Sequence, residues 1–213
     1  MAYKPLDLES ACAALAAGDV VAFPTETFYG LGGNALNPDT VGKVYAIKQR
    51  PYGLPLPVVI GDADILGRVA RDVPVLAERL MQEFWPGPLS IILTAAPEVP
   101  DLLTAGTGRV AVRFSPHPGV QTLCRASGMV LTASSANVSG LPPVNRPEEL
   151  DSEIVNRIAG VYDVQPYPLG GEPSTIVDIL SDGGEGTLRV LREGAITADS
   201  LQNAGFSVIV ADE

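Results

Sequence analysis

Apolar positions along the chain fall first at helical spacing and then in short continuous runs. Leu6, Leu8, Ala11, Leu15 and Ala16 recur with a helix period and stop at Gly18, which predicts an opening helix. The run Val20-Val-Ala-Phe23, closed by Pro24, reads as a buried strand. Thr25-Glu-Thr27 then turns the chain into the glycine-rich segment Phe28-Tyr-Gly-Leu-Gly-Gly33, a second strand or a loop. Asn37-Pro38 offers an N-cap followed by a first-turn proline, so a helix should start there and run to about Gln49, ahead of Pro51. Lys48 and Arg50 therefore fall at a helix end that enters a loop.

The alternation continues to the end of the chain. Strands are expected at 56–60, 89–94, 109–114 and 129–132, and helices at 74–84 and 118–126, with Trp85-Pro-Gly-Pro88 as a turn. The strand at 129–132 runs directly into Ala133-Ser-Ser-Ala-Asn-Val-Ser-Gly140. After a proline-rich loop at 141–147 come a short acidic helix, strands near 160–163, 174–179 and 187–192, a helix near 198–204 and a strand at 207–210. Interleaved helices and apolar strands predict an α/β fold, and the closely spaced late strands a mixed sheet. Without a composition break, repeat or linker, the expectation is one domain over 1–213 built on a twisted mixed β-sheet flanked by helices.

Composition narrows the function classes. Hydrophobic residues make up 46% and charged residues 18%, enough for a sizeable core and too apolar for a disordered chain. No run reaches the roughly 18 to 20 apolar residues of a membrane helix, and the start lacks the apolar core of a secretory signal, so a cytoplasmic location and no membrane partner are expected. Cys12 and Cys124 lack the C-x-x-C spacing of a metal or redox site and read as free thiols in amphipathic helices, and the single histidine, His117, leaves little for zinc. The net charge of −11 disfavours extended nucleic-acid binding. A small anion can still bind where a few of the eleven arginines converge, since the charge of a pocket and of the whole chain are separate quantities.

The candidate chemistry lies in a few polar segments. Pro24-Thr-Glu-Thr-Phe-Tyr-Gly-Leu-Gly32 leaves the carboxyl end of a strand, where open α/β sheets build ligand sites, although a capped threonine turn fits it as well. Lys48 and Arg50 suit an anion or a solvated helix terminus. Ser134-Ser-Ala-Asn137 follows a strand and precedes glycine and proline, so its hydroxyls and N–H groups can form a nest for phosphate or carboxylate. Pro173-Ser-Thr-Ile-Val-Asp178 pairs a turn with a strand, and Leu191-Arg-Glu-Gly194 places a guanidinium at a strand end. The sequence holds no nucleophile elbow and no P-loop. Catalysis here would come from positioning and charge stabilisation.

Read in order, Pro24-Thr-x-Thr-x-Tyr-Gly-Leu, Lys48-x-Arg-Pro-x-x-x-Pro-Leu56, Trp85-Pro-Gly-Pro-Leu89, Val112-Arg-x-x-x-His-Pro118, Ser135-x-Asn-x-Ser-Gly140, Pro173-Ser-Thr-Ile-Val-Asp178 and Leu191-Arg-x-Gly194 resemble the YrdC/TsaC family over residues 10–200. The resemblance implies a YrdC-like, three-layer domain with L-threonylcarbamoyladenylate synthase activity on L-threonine, bicarbonate or CO2, and ATP with Mg2+. It implies threonylcarbamoyl-AMP and pyrophosphate as products, and a separate transferase that carries the group to tRNA. By similarity Lys48, Arg50, Ser135 and Asn137 would be catalytic and bind ATP together with Arg192, while Thr27, Arg113 and Ser174 would hold threonine. The metal would be carried by the ATP phosphates.

Three positions depart from the family pattern. Val59 stands where longer members have a histidine that contacts threonine, Leu54 occupies a loop position that is often polar, and Glu193 replaces the usual proline of Leu-Arg-Pro-Gly. The last feature is similar to YciO-like paralogues, which tend to lose the lysine and the Ser-x-Asn that this chain keeps. The resemblance is to the short form of the family, so no extra C-terminal domain of the kind longer synthases carry is expected. A YciO-like protein of weak or different carbamoyl-nucleotide activity and a non-catalytic RNA-binding module are the alternatives.

Overall fold

The computed structural model describes residues 3–180 and 186–211. Helix Pro38–Lys48 forms as its local signals dictate: the Asn37 side chain accepts from the N–H groups of Asp39 and Thr40, and Gln49 ends the helix in the left-handed region at φ 51°. That reversal carries Arg50 into the loop, whereas Lys48 stays on the buried side. The opening helix is shorter than its apolar spacing suggests. It spans Leu8–Ala16, because Asp7 caps it by accepting from the Ser10 N–H and Leu6 belongs instead to a two-residue strand aligned with Tyr162.

The strands divide between two mixed sheets. In the smaller, Tyr29–Gly32 lies antiparallel to both Val21–Pro24 and Ser134–Ser135, and the order continues through Gly160–Tyr162 to Pro5–Leu6. In the larger, Leu89–Ala95 is central, parallel to Thr175–Leu180 and antiparallel to Arg109–Phe114. Thr187–Arg192 and Val208–Val210 extend one side, Val58–Ile60 and Leu131–Thr132 the other. Only Ala133 separates Leu131–Thr132 from Ser134–Ser135, so the chain crosses from one sheet to the other at the start of the Ser-x-Asn segment. Gly32 allows the close approach there: a Cβ on it would lie 2.0 Å from the Thr132 oxygen.

One continuous core joins the sheets, with Tyr29 and Leu31 from the smaller packed in the same cluster as Val58, Ile91, Val112 and Val177 from the larger. A second cluster forms where Leu8–Ala16 and Pro118–Ser127 cover Val21, Phe23 and Val59. Both cysteines are free, and burial pushes the Cys124 thiol up to about 12. The short pieces Ala63–Arg68, Ala70–Arg71 and Asp101–Thr104 escape a periodicity reading because none is long enough to show a stripe. Among the described residues no helix is long and apolar enough to cross a membrane, and no three His, Cys, Asp or Glu side chains gather at one place.

Candidate active site between the two sheets

A cleft of about 500 Å³ opens where the sheets meet, within the size range of small-molecule sites. Thr27, Arg50, Arg113, Ser135, Asn137, Ser174 and Arg192 all line it, so segments scattered over the whole sequence share one cavity. Each is delivered by an element end. Thr27 lies in the turn between Val21–Pro24 and Tyr29–Gly32, Arg50 just past a helix, Arg113 near the end of Arg109–Phe114, and Arg192 at the end of Thr187–Arg192.

The wall contributed by the larger sheet is a hydroxyl and guanidinium cluster. Arg192 donates to the Ser174 carbonyl from Nε (3.1 Å) and Nη2 (2.7 Å), and from Nη2 to Ser174 Oγ at 3.1 Å. Ser174 Oγ lies 3.3 Å from Ser90 Oγ, and Ser90 stands in register between Arg113 and Ile176. Arg50 is braced by the carbonyls of Leu54 (Nε, 3.2 Å) and Pro55 (Nη2, 3.0 Å). Burial, followed by the charges of Arg113 and Arg50, lowers the Arg192 pKa, which is the signature of three guanidiniums crowding one cavity. The lining residues include no carboxylate, so the charged groups that line the cavity are all cationic in a chain of net charge −11.

Lys48 is the one predicted site residue that does not line the cleft. It is 2% exposed, and its ammonium donates to the main-chain oxygens of Ser135 and of Asn137, the latter at 2.7 Å. Desolvation, with the charge of Arg50 adding to it, pulls the ammonium down to about 8. The side chain thus holds the anion loop from behind. Asn137 also differs from the expectation of a phosphate donor, because its amide hydrogens go to the carbonyls of Val138 (2.9 Å) and Leu141 (2.6 Å). Its Oδ1 is left buried without a partner, as is the hydroxyl of Ser139 two residues on.

Thr25, Tyr29 and Ser134, from the segments the sequence singles out, also line the site, and so does Ser90, which sequence reading passed over. Ser90 carried a signal, as a lone hydroxyl within the apolar strand Leu89-Ser-Ile-Ile-Leu93. Glu26, between the two threonines, accepts from Arg113 Nη1 at 2.6 Å. Two of the three departures from the family pattern, Val59 and Glu193, acquire physical reasons. Val59 is fully buried against the second cluster and Val58 is the residue that faces the cleft. Glu193 accepts from the Ala198 N–H at 3.2 Å and so serves the first turn of the helix Ala198–Asn203.

A two-sheet α/β fold with a cationic, hydroxyl-lined cleft between the sheets defines the class of this chain. Within it, the chain belongs to the Sua5/YciO/YrdC family, described as telomere recombination, whose model matches residues 13–194. A threonylcarbamoyl-AMP synthase of Bacillus subtilis (strain 168) is 40% identical over 196 residues, 92% of this chain and 55% of that protein. One from Xylella fastidiosa (strain M23) is 40% identical over 181 residues, 83% of this chain and 95% of that protein. The crystal structure of Pyrococcus abyssi Sua5 complexed with L-threonine superposes with a TM-score of 0.86 at 31% identity, covering 95% of this chain and 58% of that one. The chain therefore spans a little over half the length of the Bacillus relative and nearly all of the Xylella one.

Proposed function

We propose that the cleft makes L-threonylcarbamoyl-AMP. The amine of L-threonine attacks carbon dioxide and gives up a proton to solvent, forming a carbamate. A carbamate oxygen then attacks the α-phosphorus of ATP, the bond from that phosphorus to the β-phosphate oxygen breaks, and pyrophosphate leaves. The single observation that carries this reading is the meeting of Arg50, Arg113 and Arg192 with the hydroxyls of Thr27, Ser135 and Ser174 in one cavity. Two carboxylates and a triphosphate must share a small space, and three guanidiniums supply the opposing charge.

Roles follow from place. Thr27, Arg113 and Ser174, with Ser90 beside them, form the threonine side, where Arg113 receives the α-carboxylate. Arg50, Arg192 and Ser135 face the nucleotide phosphates. Lys48 acts on the same site by shaping the loop that carries Ser135 and Asn137. The residues present fit a hard divalent cation: the unpartnered oxygen of Asn137, which lines the cleft, is the kind of neutral donor that Mg2+ accepts beside phosphate. That side chain would hold it with ATP, and it would supply charge neutralisation on the phosphates.

The domain reading over 1–213, a cytoplasmic location and delivery of the product to a separate tRNA threonylcarbamoyl transferase belong to this proposal. Support for a YciO-like reading rested on Glu193, and the helix-capping contact gives that residue a local structural reason. The test is turnover: pyrophosphate release from Mg-ATP that requires both L-threonine and bicarbonate supports the reading, and folded protein with no such release overturns it.

A further inference from the structure

The reaction above leaves Glu26 without a role, although its carboxylate is largely buried and fully bonded. It sits in the turn from Val21–Pro24 to Tyr29–Gly32, in the smaller sheet, and reaches across to Arg113 of the larger one. Glu26 Oε1 accepts from Arg113 Nη1 at 2.6 Å, and Oε2 accepts from the Ser115 hydroxyl. Ser115 Oγ in turn accepts the His117 N–H at 3.2 Å, which fixes the direction of its proton. Main-chain bonds hold the same turn, since Gly170 N donates to Thr27 O at 2.8 Å and Leu169 N to Glu26 O at 3.3 Å. Both carboxylate oxygens are thus committed, and the group has little freedom to rotate.

Arg113 lines the cleft while Glu26 does not, and the Arg113 side chain is only 7% exposed. A guanidinium recognises a carboxylate well only when its planar fork is already oriented, because a free arginine gives up rotamer entropy on binding. One edge of Arg113 is spent on a short, charge-assisted bond to Glu26, which leaves its other N–H groups for the cavity that Arg113 lines. We propose that Glu26 is a positioning residue: it fixes the Arg113 fork for the carboxylate of the amino-acid substrate, and so sets affinity for that substrate and not for the nucleotide. This rests on the reading that threonine binds beside Arg113.

The test is calorimetric titration of the full chain with L-threonine and, separately, with Mg-ATP, comparing wild type with Glu26→Gln, which keeps the shape and removes the charge. Loss of one charge-assisted bond should weaken threonine by about ten-fold and leave Mg-ATP within about two-fold, and in turnover the threonine KM should rise far more than kcat falls. Ser115→Ala, which loosens the carboxylate without touching Arg113, should weaken threonine by a smaller factor in the same direction. Unchanged threonine affinity in both variants overturns the inference. Equal weakening of threonine and Mg-ATP also overturns it, since that marks a staple between the sheets. Wild-type protein that binds no threonine overturns the functional reading together with this inference, whereas equal binding by wild type and variants overturns this inference alone.

Discussion

Lys48 Nζ donates to the main-chain oxygen of Asn137 at 2.7 Å, 89 residues further along the chain, and the Ser139 N–H returns a bond to the Lys48 carbonyl at 3.0 Å. One helix terminus therefore grips the anion loop by both its side chain and its backbone. Replacing Lys48 by alanine should remove this grip and leave buried carbonyl oxygens unpaired. The expected result is a loss of stability of about 2–4 kcal/mol in urea denaturation together with at least a hundred-fold drop in turnover. A lysine that only touched phosphate would lose turnover with its denaturation midpoint unmoved.

The same ammonium makes a prediction about pH. Its folded pKa is lowered to about 8 from an ordinary 10.5, so between these values the unfolded chain holds a proton that the folded chain has released. Stability from this group is therefore present above 10.5 and is lost as pH falls towards 8. Turnover should run the other way and decline above pH 8 as the charge that holds the loop disappears. Parallel pH series of denaturation and turnover check this, and the opposition should vanish in Lys48→Met.

Histidine supplies a second titration with the opposite end of the scale in view. His117 caps the helix Pro118–Ser127 by accepting from the Gly119 N–H at 3.0 Å, and its Nε2 meets the Pro166 oxygen at 2.6 Å. Burial depresses its pKa below 6.5. The unfolded chain then takes up a proton that the fold resists, so stability should fall as pH drops below about 6.5. His117 is the sole histidine of the chain, and a His117→Gln variant should lose the part of this dependence that lies above the carboxylate range.

Asn137→Ala removes the unpartnered Oδ1 and also frees the carbonyls of Val138 and Leu141. Turnover should fall at least a hundred-fold, and the Mg2+ concentration needed for half-maximal rate should rise. Titrating Mg2+ at fixed ATP checks both. An unchanged Mg2+ requirement would remove Asn137 from the metal site.

A backbone contact tests how finely the threonine side is set. A Cβ on Gly194 would lie 2.1 Å from the Pro173 oxygen, and the Gly194 and Ala195 N–H groups bond to Thr175 Oγ1 (3.0 Å) and Pro173 O (2.8 Å). Gly194→Ala should push the Pro173-Ser174 backbone away from Arg192, costing about 1–3 kcal/mol and raising the threonine KM. Melting curves and kinetics of that variant provide the measure.

Much of this was legible in the sequence where the signal is local. Asn37-Pro38 at one end and Pro51 beyond the other placed the helix Pro38–Lys48, and alternation placed the strand Arg109–Phe114. Strand partners were not legible, because Tyr29–Gly32 finds Ser134–Ser135 across a hundred residues through packing that no local window contains. For the same reason the sequence located Lys48 but not the direction of its ammonium, which is decided by a loop far along the chain. Ser90 and Glu26 were hidden differently: each reads locally as a polar residue within a strand or turn, and only chain far away gives it a partner, Ser174 at the adjacent strand of the same sheet for Ser90 and Arg113 of the opposing sheet for Glu26. The family resemblance carried the grouping of the site residues that periodicity alone left scattered.

The central claim is that the cleft joins carbon dioxide, threonine and the adenylyl group of ATP into one molecule. The most direct measurement incubates the purified protein with ATP, Mg2+, L-threonine and carbon-13 bicarbonate and reads the nucleotide products by mass spectrometry. The account predicts threonylcarbamoyl-AMP carrying one heavy carbon, formed in step with pyrophosphate and absent when threonine is left out. ATP returned unchanged by folded protein that binds both ATP and threonine would contradict it.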